Sequence, residues 1–271
     1  MRRPVKDRQR PTGTPVRLRG GRLGPRLRVD TKEPSSVRVY LASPNTQQQA
    51  EHVCDMPVLL SFACYSPWLD RYQQTFSRLL IDSGAYTEFT TGQVVDLAAY
   101  REWAARWEGH ADAIAGLDDI AGDWRRSLAN YEAFPAGFPT FHESDPPELL
   151  TDLIPMAAER GRWIGLGMLP DTRRARKGEG WLRSALDQIP DGLHVHLWAG
   201  RAYTHHRRID SVDSTNWWRD AMKIRTLPDT AHLTYGECLQ IVVKRYQRWT
   251  RVIRETTETQ GGLAFGDDDA A

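Results

Sequence analysis

Ionisable side chains follow five short apolar runs of this sequence, each at the point where the run ends. They are Asp82, the pair Asp118 and Asp119, the pair His142 and Glu143, then His196, and finally Asp213. Two carboxylates from different runs suit glycosyl-bond chemistry, in which one attacks the anomeric carbon and the other exchanges protons with the leaving and entering groups. For Asp82, Asp118 and Asp213 taken singly, an N-cap of the following helix is the alternative interpretation.

The runs belong to a repeating pattern of short apolar segments and longer amphipathic stretches, which is typical of βα units. Strands are predicted at 37–42, 57–63, 78–81, 113–117, 138–141, 163–166, 193–197 and 209–212. Helices are predicted at 94–107, 123–134, 146–160 and 181–189, and a closing helix at 235–257. Eight such strands favour an α/β fold, a compact (β/α)8 TIM barrel, over an open doubly wound sheet. In that barrel the strand ends converge on one mouth.

The charge is distributed unevenly along the chain. Residues 1–29 hold ten Lys or Arg and one Asp, a net charge of +9, whereas the whole chain carries +1. We expect residues 1–36 to be a disordered basic arm suited to a phosphate backbone, although a solvated tail or translated sequence upstream of the true start is an equal alternative. The catalytic domain is predicted at 37–258, and an acidic flexible tail at 259–271.

Several classes of protein are not expected from this sequence. No window approaches 18 consecutive apolar residues and no apolar stretch follows the basic N-terminus, so neither a membrane span nor a secretory signal is predicted. Cys54, Cys64 and Cys238 are too few and too scattered for a disulfide framework or a closed zinc site, which indicates a reduced, cytoplasmic protein. No glycine-rich nucleotide-binding motif follows a predicted strand. We therefore expect neither a metal nor a nucleotide cofactor.

The residues at the strand ends resemble a known family. Leu-Ile-Asp-Ser-Gly-Ala-Tyr at 80–86 resembles the Asp-Ser-Gly-Gly-aromatic motif of tRNA-guanine transglycosylases. Together with the segments 117–123, 141–143, 164–167, 195–196 and 211–217, it is similar to the phage and bacterial branch that inserts 7-deazaguanine bases into DNA. The resemblance covers residues 37–225. It implies a base-exchange glycosyltransferase that replaces guanine in nucleic acid with a 7-deazaguanine such as preQ0.

The resemblance also implies roles for individual residues. Asp213 matches the aspartate that attacks C1′ of the nucleoside, and Asp82 matches the general acid and base. The other matches are substrate-binding positions. Asp118 or Asp119, with Ser83, corresponds to the purine edge, and Gly84 and Tyr86 to the purine face. Gly165 and Gly167 correspond to the pocket backbone, and the positions without an assigned role are His142, Glu143 and His196. For the glycines, an ordinary tight turn is the alternative.

One departure from the family bears on the acceptor. The tRNA enzymes carry a C-x-C-x2-C zinc site with a later histidine, in a segment that helps to hold tRNA. The three cysteines of this chain, at positions 54, 64 and 238, do not have that spacing. This departure favours DNA over tRNA as the nucleic-acid partner, or else a divergent member of the family with another acceptor.

Two basic loops are predicted to leave the catalytic face, where they would grip phosphates on either side of an extruded nucleotide. Their residues are Arg173, Arg174, Arg176 and Lys177 after the sixth strand, and Arg207 and Arg208 after the seventh. A solvated basic face is the alternative.

Two other functions stay open. One is a non-catalytic nucleic-acid-binding barrel. The other is a metal-dependent hydrolase that uses His194 and His196, which point to the same side of one strand, together with His142 and Asp213.

Overall fold

The computed structural model describes residues 37–120, 122–174, 177–204 and 206–259, with side chains given except at 173–174 and 249–259. These residues belong to one compact unit, Pro34–Ala271. The predicted basic arm, 1–36, and all but the first residue of the predicted acidic tail, 259–271, lie outside the described residues. The described chain thus corresponds to the predicted catalytic domain.

Eight parallel strands form one curled sheet within the described residues. They are β1 (Arg38–Ala42), β2 (Pro57–Ser61), β3 (Arg78–Asp82), β4 (Ala113–Ile114), β5 (Thr140–His142), β6 (Trp163–Gly167), β7 (His194–Leu197) and β8 (Ser211–Ser214). Their order is β4-β3-β2-β1-β8-β7-β6-β5, so strands that follow one another in the chain are neighbours and β1 pairs with β8. All eight predicted strands are present, with β2 and β4 shorter than expected and β5 and β8 beginning two residues later than expected.

The ring of strands is interrupted between β4 and β5, the two edges of the sheet. These edges meet at a single bridge, Ala115 with Phe138. Just beyond it, the buried hydroxyl of Tyr131 accepts the Thr140 N–H and donates to the Thr140 carbonyl, both at 3.1 Å. A longer β4–β5 ladder would need those backbone groups. The expected closed barrel is therefore a TIM-like curled sheet without a continuous ladder around it.

Nine α-helices lie in the described part of the chain. They are α1 (Gln47–His52), α2 (Ala85–Thr91), α3 (Leu97–Ala105), α4 (Trp124–Ala133), α5 (Pro147–Glu159), α6 (Pro170–Arg174), α7 (Glu179–Gln188), α8 (Asn216–Thr226) and α9 (Tyr235–Thr259). The five helices predicted from amphipathic stretches correspond to α3, α4, α5, α7 and α9. Among the described helices, none has both the length and the apolar composition that crossing a bilayer requires.

Side chains on the concave face of the sheet follow the two-residue alternation of strands. An inner apolar cluster is formed by Tyr40, Ala42, Leu59, Leu80, Ala115, Phe138 and Trp163. A second, larger cluster lies between the sheet and its helices and contains the alternate strand residues, among them Leu41, Ile81 and Val212. This alternation assigns Asp82, two residues beyond Leu80, to the concave face. Asp213 belongs to the same face, because it pairs with the inward Tyr40 and follows Val212, which faces the helices.

The last helix, α9, packs on α1, α8 and β1, as expected for a closing helix. The spacing of Leu239, Val242, Tyr246, Trp249 and Ile253 in the sequence predicts one apolar stripe on this helix. The first three of these residues are buried. The side chains of Trp249 and Ile253, which complete the stripe, lie outside those that the structure describes.

Candidate active site at the carboxyl ends of the strands

Asp82 is the last residue of β3, and the backbone after it makes a sharp turn into α2. Gly84 has φ 88° and caps α2, and its N–H donates to Asp82 Oδ2 at 3.1 Å. A Cβ on Gly84 would lie 2.5 Å from the Cβ of Ala63. Because both the positive φ and this close approach exclude larger residues, Gly84 is required to form the turn. The glycine at this position therefore has a structural reason that needs no ligand.

The Asp82 carboxyl is a weaker acid than an ordinary aspartate side chain. Its pKa is raised from 3.8 to about 7, mainly by burial and also by the negative charges of Asp118 and Asp213, while hydrogen bonds from Ser61 and Gly84 lower it. Carboxylates influence one another in this way only when they share a site of limited solvent access. Asp82 and Asp213, 131 positions apart in the sequence, therefore lie in one electrostatic environment.

Asp213 lies in β8, paired in register with Tyr40 of β1, and is 8% exposed. Its Oδ1 accepts the backbone N–H of Ala199 at 2.5 Å. Ala199 has φ 49°, a left-handed conformation that few residues other than glycine adopt, and this bend at the end of β7 directs the N–H at the carboxylate. The ring Nε2 of buried His196 lies 3.6 Å from the same Oδ1. The carboxylate is thus oriented by two groups from β7 and the turn that follows it.

Asp118 and His142 form a buried pair across the β4–β5 gap. Asp118 Oδ2 and His142 Nε2 are in hydrogen-bond contact. Burial alone would lower the pKa of His142, but the hydrogen bond and charge of Asp118 outweigh it and the pKa is raised. A Cβ on Gly167 would come within 2.2 Å of the His142 ring, so the glycine of β6 is what leaves room for the imidazole. Asp118 and His142 are therefore predicted site residues that the fold brings together.

Asp119 lies beside Asp118 but has other partners. Its Oδ2 accepts the Asp123 N–H at 3.2 Å and lies 3.4 Å from Arg126 Nη1. Arg126 also pairs with Glu88 of α2 at 2.7 Å. Asp119 is thus part of an ion-pair cluster that ties α2 to α4, whereas Asp118 faces His142.

The alternative interpretation of the aspartates as helix caps does not hold for Asp118 and Asp213. Asp123 caps α4, with its side chain accepting the Arg125 N–H, and Thr215 is the N-cap residue of α8. These two aspartates are therefore available for another role.

A cavity of about 240 Å³ opens between α2 and the segment after β4. It is lined by Ala85, Glu88, Phe89, Gly92, Val94, Asp118, Asp119 and Ile120. Phe89 and Val94 are exposed hydrophobic residues and form its apolar wall. Neither Asp82 nor Asp213 lines this cavity, so it is a recess next to the carboxylates rather than the place between them.

Three other predicted residues occupy defined positions. Ser83 is fully buried and its hydroxyl accepts the Ala85 N–H at 3.3 Å, as in a capping turn. Tyr86 is 45% exposed on α2, with its ring 6.4 Å from that of Phe89. Glu143 accepts the Leu169 N–H at 3.2 Å.

The other predicted pocket glycine, Gly165, faces protein side chains. A Cβ there would come within 2.4 Å of Thr140 Oγ1 and 2.7 Å of Trp198 Nε1. Trp198 donates to Thr140 at 3.1 Å in this space. Gly165 and Gly167 thus make room for Trp198 and His142, which is a structural reason for both glycines.

The histidines of β7 differ in environment. His194 stacks on Trp163 with ring centroids 3.6 Å apart, and its Nε2 lies 2.8 Å from Ser211 Oγ. Nδ1 of His196 lies 2.9 Å from the same hydroxyl. Among the residues that the structure describes, no three His, Cys, Asp or Glu side chains converge as metal ligands do. The metal-hydrolase alternative therefore has no ligand set within the described chain.

The second basic loop is only partly where it was expected. Arg208 donates to Asp191 and, at 2.6 Å, to the Ile189 carbonyl, both of which precede β7. Arg208 thus lies at the amino ends of the strands, and its predicted placement at the catalytic mouth is wrong. The reason is that it lies only three positions before the first residue of β8, by which point the loop has returned to the opposite end of the sheet. Arg207 is exposed next to it.

The first basic loop connects α6 to α7. Lys177 is exposed, and its N–H donates to the Thr172 carbonyl at 3.0 Å. The remaining members, Arg176 and the side chains of Arg173 and Arg174, lie outside what the structure describes.

Sequence reasoning missed two residues at the mouth. Cys64 follows β2, and burial together with the negative charge of Asp82 raises the pKa of its thiol. Ala199 contributes the backbone N–H to Asp213. A position directly after a strand was a usable signal for Cys64, but no side-chain pattern marks a backbone donor.

Comparison with known proteins gives no further information about this site. No protein-family model, no curated protein and no solved structure matches the chain.

Proposed function

We propose that this protein is a base-exchange glycosyltransferase that replaces guanine in nucleic acid, DNA in preference to tRNA, with a 7-deazaguanine such as preQ0. In this proposal Asp213 is the nucleophile and Asp82 is the general acid and base. The proposal combines the motif resemblance at the strand ends with the geometry of the two carboxylates.

The observation that carries the proposal is the difference between the two aspartates. The pKa of Asp82 is raised to about 7 by burial and by the charges of Asp118 and Asp213, so its carboxyl is close to half protonated at neutral pH. A general acid is most effective when its pKa lies near the working pH. Asp213, in contrast, accepts a backbone N–H through Oδ1. Two carboxyl groups in such different environments suit an acid and a nucleophile.

The chemistry proceeds in two displacement steps. In the first, an oxygen of Asp213 bonds to C1′, and the C1′–N9 bond breaks with its electron pair leaving on guanine, which takes a proton from Asp82. In the second, Asp82 removes the N9 proton of the incoming base, whose N9 bonds to C1′ while the ester electrons return to Asp213. Two inversions give net retention at C1′.

The cavity beside Asp118 suits the base. Asp118 is an acceptor for the ring and exocyclic N–H groups of a guanine-like edge, and His142 holds its carboxylate in place. Phe89 offers an aromatic face for stacking. A duplex must release the target nucleotide for it to reach this depth, at a cost of a few kcal/mol.

The covalent step gives a direct test. The protein is incubated with a guanine-containing DNA oligonucleotide and preQ0, and then denatured. We expect an adduct that survives denaturation in the wild type and is absent from Asp213→Ala. Asp187→Ala, which removes an exposed carboxylate on α7, is the matched control. Base exchange at the full rate in Asp213→Ala would remove Asp213 from the nucleophile role.

The same samples distinguish the enzyme from a non-catalytic binding protein. An oligonucleotide that binds the wild type without exchange or adduct would favour the binding protein. Truncation of residues 1–29 should weaken DNA binding and reduce its salt dependence, because each neutralised phosphate releases a counterion. Exchange that persists without the arm would favour an enzyme whose site lies wholly within residues 37–258.

A further inference from the structure

His196 is a buried titratable residue to which the resemblance assigns no role. It is fully buried between two aromatic rings, with Trp198 at a centroid distance of 4.5 Å and Tyr40 at 6.1 Å, both in edge orientation. Its Nε2 has no hydrogen-bond partner among the described residues and lies 3.6 Å from Asp213 Oδ1. A buried polar atom without a partner, next to a reactive carboxylate, calls for a functional explanation.

The hydrogen bond made by the other ring nitrogen, Nδ1, determines which nitrogen of His196 carries the ring proton. Nδ1 of His196 and Nε2 of His194 both contact the hydroxyl of buried Ser211, at 2.9 and 2.8 Å. A serine hydroxyl has one hydrogen to donate and accepts through its lone pairs. If Ser211 donates to His196 Nδ1 and accepts from His194, then the neutral His196 ring carries its proton on Nε2, directed at Asp213. The opposite tautomer would place a nitrogen lone pair against the carboxylate, which is repulsive.

We propose that His196 is the positioning residue of Asp213, set in the Nε2–H tautomer by a chain from His194 through Ser211. The Ala199 N–H donates to Oδ1 of Asp213, and Nε2 of His196 lies 3.6 Å from the same atom. Within the described part of the chain, no hydrogen bond is made to Oδ2. Oδ2 is therefore the oxygen that is free to bond to C1′, while Oδ1 stays anchored. We expect the distance of 3.6 Å to shorten when substrate binds, since catalytic contacts are often long in the unliganded enzyme.

This inference rests on the proposed function for its role in the reaction, but the contact can be tested without it. Full-length protein labelled with ¹⁵N-histidine is examined by long-range ¹H–¹⁵N correlation, with the His196 signals identified by their loss in His196→Gln. We expect Nε2 to be protonated and Nδ1 unprotonated. Ser211→Ala should shift the tautomer balance, whereas His110→Gln, which changes an exposed histidine, should not. A His196 ring protonated on Nδ1 alone would overturn the proposal.

Kinetics then test the role in base exchange. The side-chain amide of glutamine can place an N–H near the position of Nε2, whereas alanine cannot. We expect His196→Ala to lower kcat about 100-fold with KM changed less than about threefold, and His196→Gln to recover at least tenfold of that loss. An unchanged kcat in His196→Ala, or no recovery with glutamine, would contradict the positioning role. Absence of exchange in the wild type would refute the proposed function. The tautomer measurement would then be the test of whether His196 directs its Nε2–H at Asp213.

Discussion

Asp82 and Asp118 stand at the ends of neighbouring strands, and the charge of Asp118 raises the pKa of Asp82. The effect adds to that of burial, which is larger, and to that of Asp213. Asp118 therefore interacts with two groups of the site: it is hydrogen-bonded to His142, and its negative charge raises the pKa of Asp82.

Asp118→Asn should lower the pKa of Asp82 below its value of about 7, because one of the negative charges that raise it is removed. The high-pH limb of the base-exchange rate, where Asp82 loses its proton, should move to lower pH. The carboxyl carbon signal of Asp82 in an NMR titration reports the same change without requiring activity. Asp119→Asn is the matched control, since Asp119 pairs with Arg126 and is not among the charges that raise the pKa of Asp82. Equal shifts in both variants would contradict the assignment.

Asp82→Asn should stabilise the fold at pH 8 and have little effect near pH 4. The folded-state pKa of about 7 exceeds the unfolded value of 3.8, so the folded state binds a proton more tightly. Stability should therefore fall as pH rises from about 4 to about 7, by at most about 4 kcal/mol. Urea denaturation of both proteins at the two pH values measures the difference. Asp187→Asn, the exposed control, should show no such pH-dependent gain, and a wild type whose stability rises across this range would contradict the raised pKa.

Gly167→Ala should destabilise the protein by roughly 1–3 kcal/mol, because the new Cβ would lie 2.2 Å from His142 Nδ1 and must displace the ring. The Asp118 contact should be lost with it. Gly180→Ala is the matched control: this glycine of α7 has open space around its Cβ position, so the change should be neutral or stabilising by up to about 1 kcal/mol. Denaturant midpoints decide the matter, and equal stabilities of the two variants would show that His142 has room to move.

Phe89→Ala should weaken binding of the free deazaguanine base about tenfold, as expected when one aromatic face is lost from a stacked base. Tyr86→Ala should have a smaller effect, because Phe89 lines the cavity and Tyr86 does not. The measurement is the KM for the base in the exchange assay, or its dissociation constant by calorimetry. A larger effect of Tyr86→Ala would support the stacking role that the motif resemblance implies for Tyr86.

The strands and the principal helices could be predicted from the sequence because the two-residue and 3.6-residue periodicities of burial are local. The rule that polar groups gather at the carboxyl ends of parallel strands also identified Asp82, Asp118, His142 and Asp213. What local patterns do not contain is the partner of each group. The Asp118–His142 contact joins residues 24 positions apart, and the hydrogen bond of Tyr131 to Thr140 that interrupts the ladder depends on how α4 packs.

Arg208 illustrates a second limit. Counting residues after β7 suggested a position at the mouth, but a loop must return to the other end of the sheet before the next strand begins. Contacts with Ile189 and Asp191, rather than sequence distance, show where the return occurs. The role of Gly167 likewise follows from the ring that faces it and not from the glycine itself.

Within the described residues, the edges at β4 and β5 are joined by the Ala115–Phe138 bridge and, beyond it, by the Asp118–His142 pair. The Asp118–His142 pair is itself part of the candidate site. A molecule that binds Asp118 would consequently strengthen or weaken the contact between these two edges of the sheet. Occupancy of the site would then decrease or increase the motion of β4 relative to β5.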